Sequence, residues 1–167
     1  RDPENGWSPL RWAFFYKQSL IVRQLIEAGS HLNEENLEGW TPLIEAVQND
    51  DHDLVWLLLK KGAQPNALDS KGWSALHYAI KGKSKDITWL LVTKQASVKA
   101  HAEGVPDLLE LALSVNDLPT ALLLHEHGAN LHASDSSGMT ALHKACIKGN
   151  LAHARFLLNM GAKISVQ

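Results

Sequence analysis

The sequence predicts an all-α repeat fold, a solenoid of five helix-turn-helix units joined by hairpin loops, and three observations predict it. Leucine returns every 33 residues as Leu10, Leu43, Leu76, Leu109 and Leu142, with alanine three positions later each time, at 13, 46, 79, 112 and 145. A second landmark keeps the same interval: Gly29-Ser30, Gly62-Ala63, Gln95-Ala96, Gly128-Ala129 and Gly161-Ala162. Between the landmarks lie two short apolar segments at helical spacing, for example Leu43, Ala46 and Val47, then Leu54, Val55, Leu58 and Leu59. A period of this length marks units that cannot bury an apolar face alone and stack on their neighbours. The expected units span about 3–35, 36–68, 69–101, 102–134 and 135–167, one array over 1–167.

Each unit opens on a turn. Gly6-Trp7-Ser8-Pro9-Leu10, Gly39-Trp40-Thr41-Pro42-Leu43 and Gly72-Trp73-Ser74-Ala75-Leu76 are copies of one pentad. The glycines closing each second helix have the chemistry of a left-handed cap, and 62–72, with Pro65, Asn66, Asp69 and Ser70, has turn composition. Gln95 stands where the third unit expects that glycine, a cost of about 1 kcal/mol if the residue is left-handed. In the fourth unit Gly104 falls one residue early, leaving Val105-Pro106-Asp107-Leu108 and a hairpin tip of different shape. Pro119 falls near the start of a second helix, where its missing N–H does little harm.

At 167 residues, the chain is long enough to bury a sizeable core without staples. A single cysteine, Cys146, forms no internal bridge and suits a reducing compartment, so the expected location is cytoplasmic or nuclear. A formal net charge of -2 provides no global field for a nucleic acid duplex, and no apolar run approaches the roughly 20 residues of a membrane helix. Aromatic Trp12, Phe14, Phe15 and Tyr16 in the first unit, and Leu151, Phe156, Leu157 and Leu158 in the last, are unlike polar end caps; flanking repeats or another domain of a parent chain are expected.

Trp73-Ser74-Ala75-Leu76-His77-Tyr78-Ala79 and Met139-Thr140-Ala141-Leu142-His143-Lys144-Ala145 resemble the Thr-Pro-Leu-His-x-Ala signature of the ankyrin repeat. With five in-phase copies, the resemblance covers essentially the whole chain. It implies that His77 and His143 hydrogen-bond within their turns and tie adjacent loops. It also implies that columns of residues one repeat apart on the hairpin tips and first helices contact partners.

Chemistry finds no obvious seat. Nine histidines lack cysteine partners or a His-x-x-x-His pair, so no metal or cofactor is expected. Cys146, beside Ala145, is expected to be a buried, inert thiol. Glu34, Glu35, Glu38, Glu45, Asp50, Asp51 and Asp53 are expected on a solvated acidic face. No phosphate loop or Ser-His-Asp signature occurs, so no enzyme is predicted.

Recognition remains: a non-catalytic module that grips another protein, a peptide segment or domain, on a concave surface. The candidate contacts are Trp7, Trp40, Trp73 and Met139 after the turn glycine, Phe15, Tyr16, Gln48, Asn49 and Lys81 at the ends of first helices, and Lys71. Contact is expected to centre on units one to three; the alternative use of the three tryptophans is as spacers packed on each other and on Pro9, Pro42 or the next loop. The alternative is a sensor binding a small nucleotide or oligoadenylate-like ligand by tryptophan stacking and lysine charge. Between 71 and 99 there are six lysines against one acid, Asp86, whereas the second unit is acidic. Such a banded array favours a complementary partner. Trp56 and Trp89, also one repeat apart, are expected to pack between outer helices, with a contact on the convex side as the alternative.

Overall fold

The computed structural model of the chain describes residues 7–99 and 105–164. Gly6 and Gly104, assigned above to turns, lie outside the described residues. Among the described residues there are ten helices and no strand. They form five pairs: α1 (Pro9–Phe15) with α2 (Ser19–Glu27), α3 (Pro42–Gln48) with α4 (His52–Lys60), α5 (Ala75–Gly82) with α6 (Lys85–Thr93), α7 (Leu108–Ser114) with α8 (Leu118–Glu126), and α9 (Ala141–Ile147) with α10 (Leu151–Asn159). First helices begin at 9, 42, 75, 108 and 141 and second helices at 19, 52, 85, 118 and 151, so the sequence period is kept to the residue. The chain forms two compact units, Arg1–Ala96 with α1 to α6 and Ser97–Gln167 with α7 to α10. No helix among the described residues is long and apolar enough to cross a membrane.

The pentad's hydroxyl starts each of three first helices. Ser8, Thr41 and Thr140 accept from the backbone N–H of Arg11, Ile44 and His143, satisfying a donor that the first turn leaves unpaired. Pro9 and Pro42 sit where a missing N–H is harmless. His77 and His143 each accept, through Nδ1, the backbone N–H of Ser74 and Thr140 at 3.1 and 3.2 Å, closing a capping box.

Five residues in register end the first helices. Lys17, Asp50, Lys83, Asn116 and Gly149 are left-handed, with φ of 54, 53, 59, 57 and 62°. The next residue's N–H then reaches back to the repeat's alanine, as in Gln18 to Ala13 and Ser84 to Ala79, at 2.9 and 3.0 Å. Only Asp50, Asn116 and Gly149 have a side chain that announces this geometry. Second helices end on Gly29, Gly62, Gly128 and Gly161 in the same conformation, and Gln95 joins them at φ 65°. Pro119 lies in the first turn of α8, as its position predicts.

The leucine and alanine columns are buried throughout both units. Phe14, Val47, Ile80 and Leu113, one repeat apart on the face that packs forward, are buried as well. Cys146 holds the same position in α9 and is nevertheless exposed, which corrects the expectation of a buried thiol. Helix position alone does not bury a side chain; a neighbour must cover it, and no described residue covers that side of α9.

Candidate functional site

Within the Arg1–Ala96 unit, Asn36 and Asp69 occupy the same place three residues ahead of Gly39 and Gly72. The Asn36 side-chain oxygen accepts the N–H groups of Glu38 and Trp40, and Asp69 Oδ1 those of Lys71 and Trp73, all at 2.8 to 3.0 Å. A local side-chain turn of this kind fixes the backbone from which each tryptophan projects. The two loops are also joined to each other. Ser70 donates from its N–H and hydroxyl to the carbonyl of Glu38, at 3.2 and 2.7 Å. Gly39 has φ 78°, and a Cβ there would stand 2.6 Å from the Ser70 nitrogen, so both conformation and space require glycine.

Asp69 is the node of this face. Its Oδ2 accepts from Trp40 Nε1 at 3.2 Å and from the Tyr78 hydroxyl at 2.5 Å. The Tyr78 ring lies between the two tryptophans, edge-on to Trp40 at 5.7 Å and tilted on Trp73 at 5.1 Å. Lys81 Nζ stands 5.0 Å over the Trp73 ring. Burial alone would raise the Asp69 pKa, but the hydrogen bonds from Tyr78, the two backbone amides and Trp40 outweigh it and hold it below the usual range. Burial, reinforced by the Asp69 hydrogen bond and charge, pushes the Tyr78 hydroxyl up to about 12.

The first repeat carries its own aromatic group. Trp7 packs on Trp12 and Phe15 at 5.0 and 5.4 Å, and Trp12 stacks on Tyr16 at 5.6 Å. Phe15 and Tyr16 remain 60% and 63% exposed, whereas Trp7, Trp40 and Trp73 are half-buried. Gln48, Asn49, Lys71 and Lys81 are exposed on the same unit. Met139 is half-buried in the Ser97–Gln167 unit, apart from the nine other candidates. On the outer helices, Trp56 and Trp89 are 42% and 59% exposed and share no ring contact among the described residues; Trp56 instead lies under Lys60 Nζ at 4.6 Å. The expectation that they pack between outer helices is thereby corrected.

Arg11 and Glu45 escaped sequence reasoning. Arg11 takes the position that His77 holds two repeats on and is buried, its guanidinium donating to the carbonyls of Glu34 and Trp40 at 3.4 and 3.3 Å and pairing with Glu45. It ties the first repeat to the second repeat's loop. Glu45 also accepts from Asn36 Nδ2 at 3.0 Å, so this acid turns inward and does not join a solvated face. Burial raises its pKa, with Arg11 and Asn36 opposing.

In the Ser97–Gln167 unit, Asp135 repeats the Asp69 arrangement, its Oδ1 accepting from the N–H of Ser137 and Met139 at 2.9 and 3.0 Å. Lys144 bridges Glu110 and Asp135 at 2.6 and 2.8 Å. Burial alone would lower the ammonium's pKa, but the two carboxylates prevail and raise it. Among the described residues, no cluster of His, Cys, Asp and Glu is arranged to hold a metal ion.

Helix pairs in register, turn-capping hydroxyls and buried alanines agree with what family comparison finds. Residues 10–102 match the family described as ankyrin repeats (3 copies), and residues 108–158 match ankyrin repeats (many copies). The chain belongs to the ankyrin repeat family. Over 62 residues it is 42% identical to protein phosphatase 1 regulatory subunit 27 of Homo sapiens, and equally so to the Mus musculus protein. That stretch is 37% of this chain and 40% of each relative, so the similarity spans well under half of either protein. Among these ankyrin repeats, the Asn36, Asp69 and Asp135 series was visible in the sequence as a third in-register landmark. Arg11 had no such signal, because its partners Glu34, Trp40 and Glu45 are about a repeat away, and Tyr78 had none because no other repeat places a tyrosine at its position.

Proposed function

We propose that this ankyrin repeat chain is a non-catalytic protein-interaction module, and that the loop tips and first-helix ends of its Arg1–Ala96 unit bind a peptide segment or domain of a partner protein. One observation carries the reading: Phe15 and Tyr16 hold large aromatic surface in solvent beside a half-buried aromatic cluster, the composition of an interface hot spot. Exposed Gln48, Asn49, Lys71 and Lys81 supply a polar rim.

The tryptophans serve this surface as its rigid floor. Trp40 spends its N–H on Asp69, and Trp73 is covered by Tyr78 and Lys81. An oligoadenylate-like ligand would have to displace Lys81 and bring phosphates toward the Asp69 carboxylate, so a protein partner is the reading we adopt.

The name of the similar regulatory subunit makes protein phosphatase 1 the first partner to test. Calorimetric titration of the chain against it is expected to show binding that Phe15→Ser with Tyr16→Ser weakens by about 2 kcal/mol or more, with an unchanged circular dichroism spectrum. A double variant that binds protein phosphatase 1 as tightly as the parent would place the contact elsewhere.

A further inference from the structure

The fourth and fifth repeats line a half-open pocket of about 560 Å³, with Pro106, Leu109, Glu110, Ala133, Asp135 and Lys144 among its walls. Its volume is that of a ligand site, in the general range of about 300–1,000 Å³. Two repeats earlier, the corresponding place is occupied. Pro106 stands where the second repeat has Trp40, Asp135 where the third has Asp69, and Lys144 where the third has Tyr78. There, the Trp40 ring lies edge-on to Tyr78 and donates its N–H to Asp69.

The acceptor that a tryptophan would need is already in place. Asp69 takes four hydrogen bonds, from the N–H of Lys71 and Trp73, from Trp40 and from Tyr78. Asp135 takes three: two backbone N–H groups on Oδ1, and Lys144 on Oδ2 in the role of the tyrosine. A carboxylate offers about four acceptor sites. The acceptor site that Asp135 leaves to solvent is the one that takes an indole N–H at Asp69. No tryptophan of this chain lies beyond position 89, so the Ser97–Gln167 unit has none of its own to provide it.

We propose that this cavity is a socket for a tryptophan side chain presented by a partner protein, its indole N–H donated to Asp135 and its ring seated against Pro106, Leu109 and Ala133. The Lys144 ammonium at the rim adds a cation beside the ring, as Lys81 does for Trp73. This site is separate from the surface proposed above and stands or falls without it.

The test titrates the 15N-labelled chain with N-acetyl-tryptophanamide. Saturable amide shifts are expected at Ser137, Met139 and Ala141, with a Kd on the order of 1 mM, as suits one small side chain. The 1-methylindole analogue, which cannot donate, is expected to bind about tenfold more weakly. Pro106→Trp, which fills the socket from within, is expected to abolish the shifts while Pro106→Ala retains them. The assignment is overturned by absence of saturable shifts in this unit, by equal binding of the methylated analogue, or by undiminished binding to a folded Pro106→Trp variant. Because the comparison of the two ligands uses the parent chain, it decides the matter even if that variant fails to fold.

Discussion

Replacing Asp69 with alanine tests the reasoning about the tryptophan face at its node. The side chain is buried and takes four hydrogen bonds, two from backbone amides and one each from Trp40 and Tyr78. Hydrogen bonds to a charged group contribute about 1.5–3 kcal/mol each, but they are not additive around one acceptor. The Lys71 amide, on an exposed residue, recovers water when the carboxylate is removed. Counting the Trp73 amide, the Tyr78 hydroxyl and the Trp40 indole N–H as the three donors that do not, at about 1 kcal/mol each, gives a loss of about 3 kcal/mol at neutral pH. Urea denaturation followed by tryptophan fluorescence measures it for the right region, since all six tryptophans lie within the Arg1–Ala96 unit. The pH dependence adds a signature that mere truncation lacks. With its folded pKa depressed, Asp69 contributes stability that is fully present above the unfolded value of about 3.9 and is lost as pH falls through the folded value. The gap between parent and variant is therefore expected to be full at pH 7 and to narrow progressively below about pH 4. A variant as stable as the parent at pH 7, or a gap unchanged between pH 6 and pH 3, would refute the assignment of Asp69 as the node.

At the other end of the scale, Tyr78→Phe removes a hydroxyl whose pKa is raised to about 12. Its stabilisation is expected to be present below about pH 10 and lost as pH rises through 12, as the difference between the two denaturation midpoints would read. Gln95→Gly relieves a left-handed glutamine and is expected to add about 0.5–1 kcal/mol in the same assay, whereas Gly39→Ala, which meets the Ser70 backbone, is expected to destabilise strongly. Arg11→Met leaves Glu45 without its buried partner and is expected to cost about 3–5 kcal/mol, much of it recovered when Glu45→Leu is added. Cys146 is expected to react fully with a thiol reagent in the native protein, monitored by absorbance, since its helix face is open.

A fixed period carries far. From the spacing of leucine, alanine and glycine alone, the sequence determined five helix pairs and their register. These features are legible because they rest on contacts within a few residues, repeated until chance agreement is excluded. Gln95 illustrates the same reach: its place in the series raised a left-handed backbone that its own chemistry disfavours, and the residue is left-handed at φ 65°.

Only the tertiary structure decided what the side chains at those positions do. Trp40 reads alike as a contact or a spacer until Asp69 and Tyr78, a repeat away, are seen to hold its N–H and its ring edge. Glu45 reads as a solvated acid until Arg11 is placed beside it, and Cys146 as a core thiol until its helix face proves uncovered. The pocket beside Asp135 exists only in three dimensions, since Pro106 in the sequence marks a departure from the pattern but not the space beside it. Periodicity fixes where a residue stands along the chain. Burial, pairing and cavities depend on which neighbour the fold brings against it, and that neighbour stands about one repeat away.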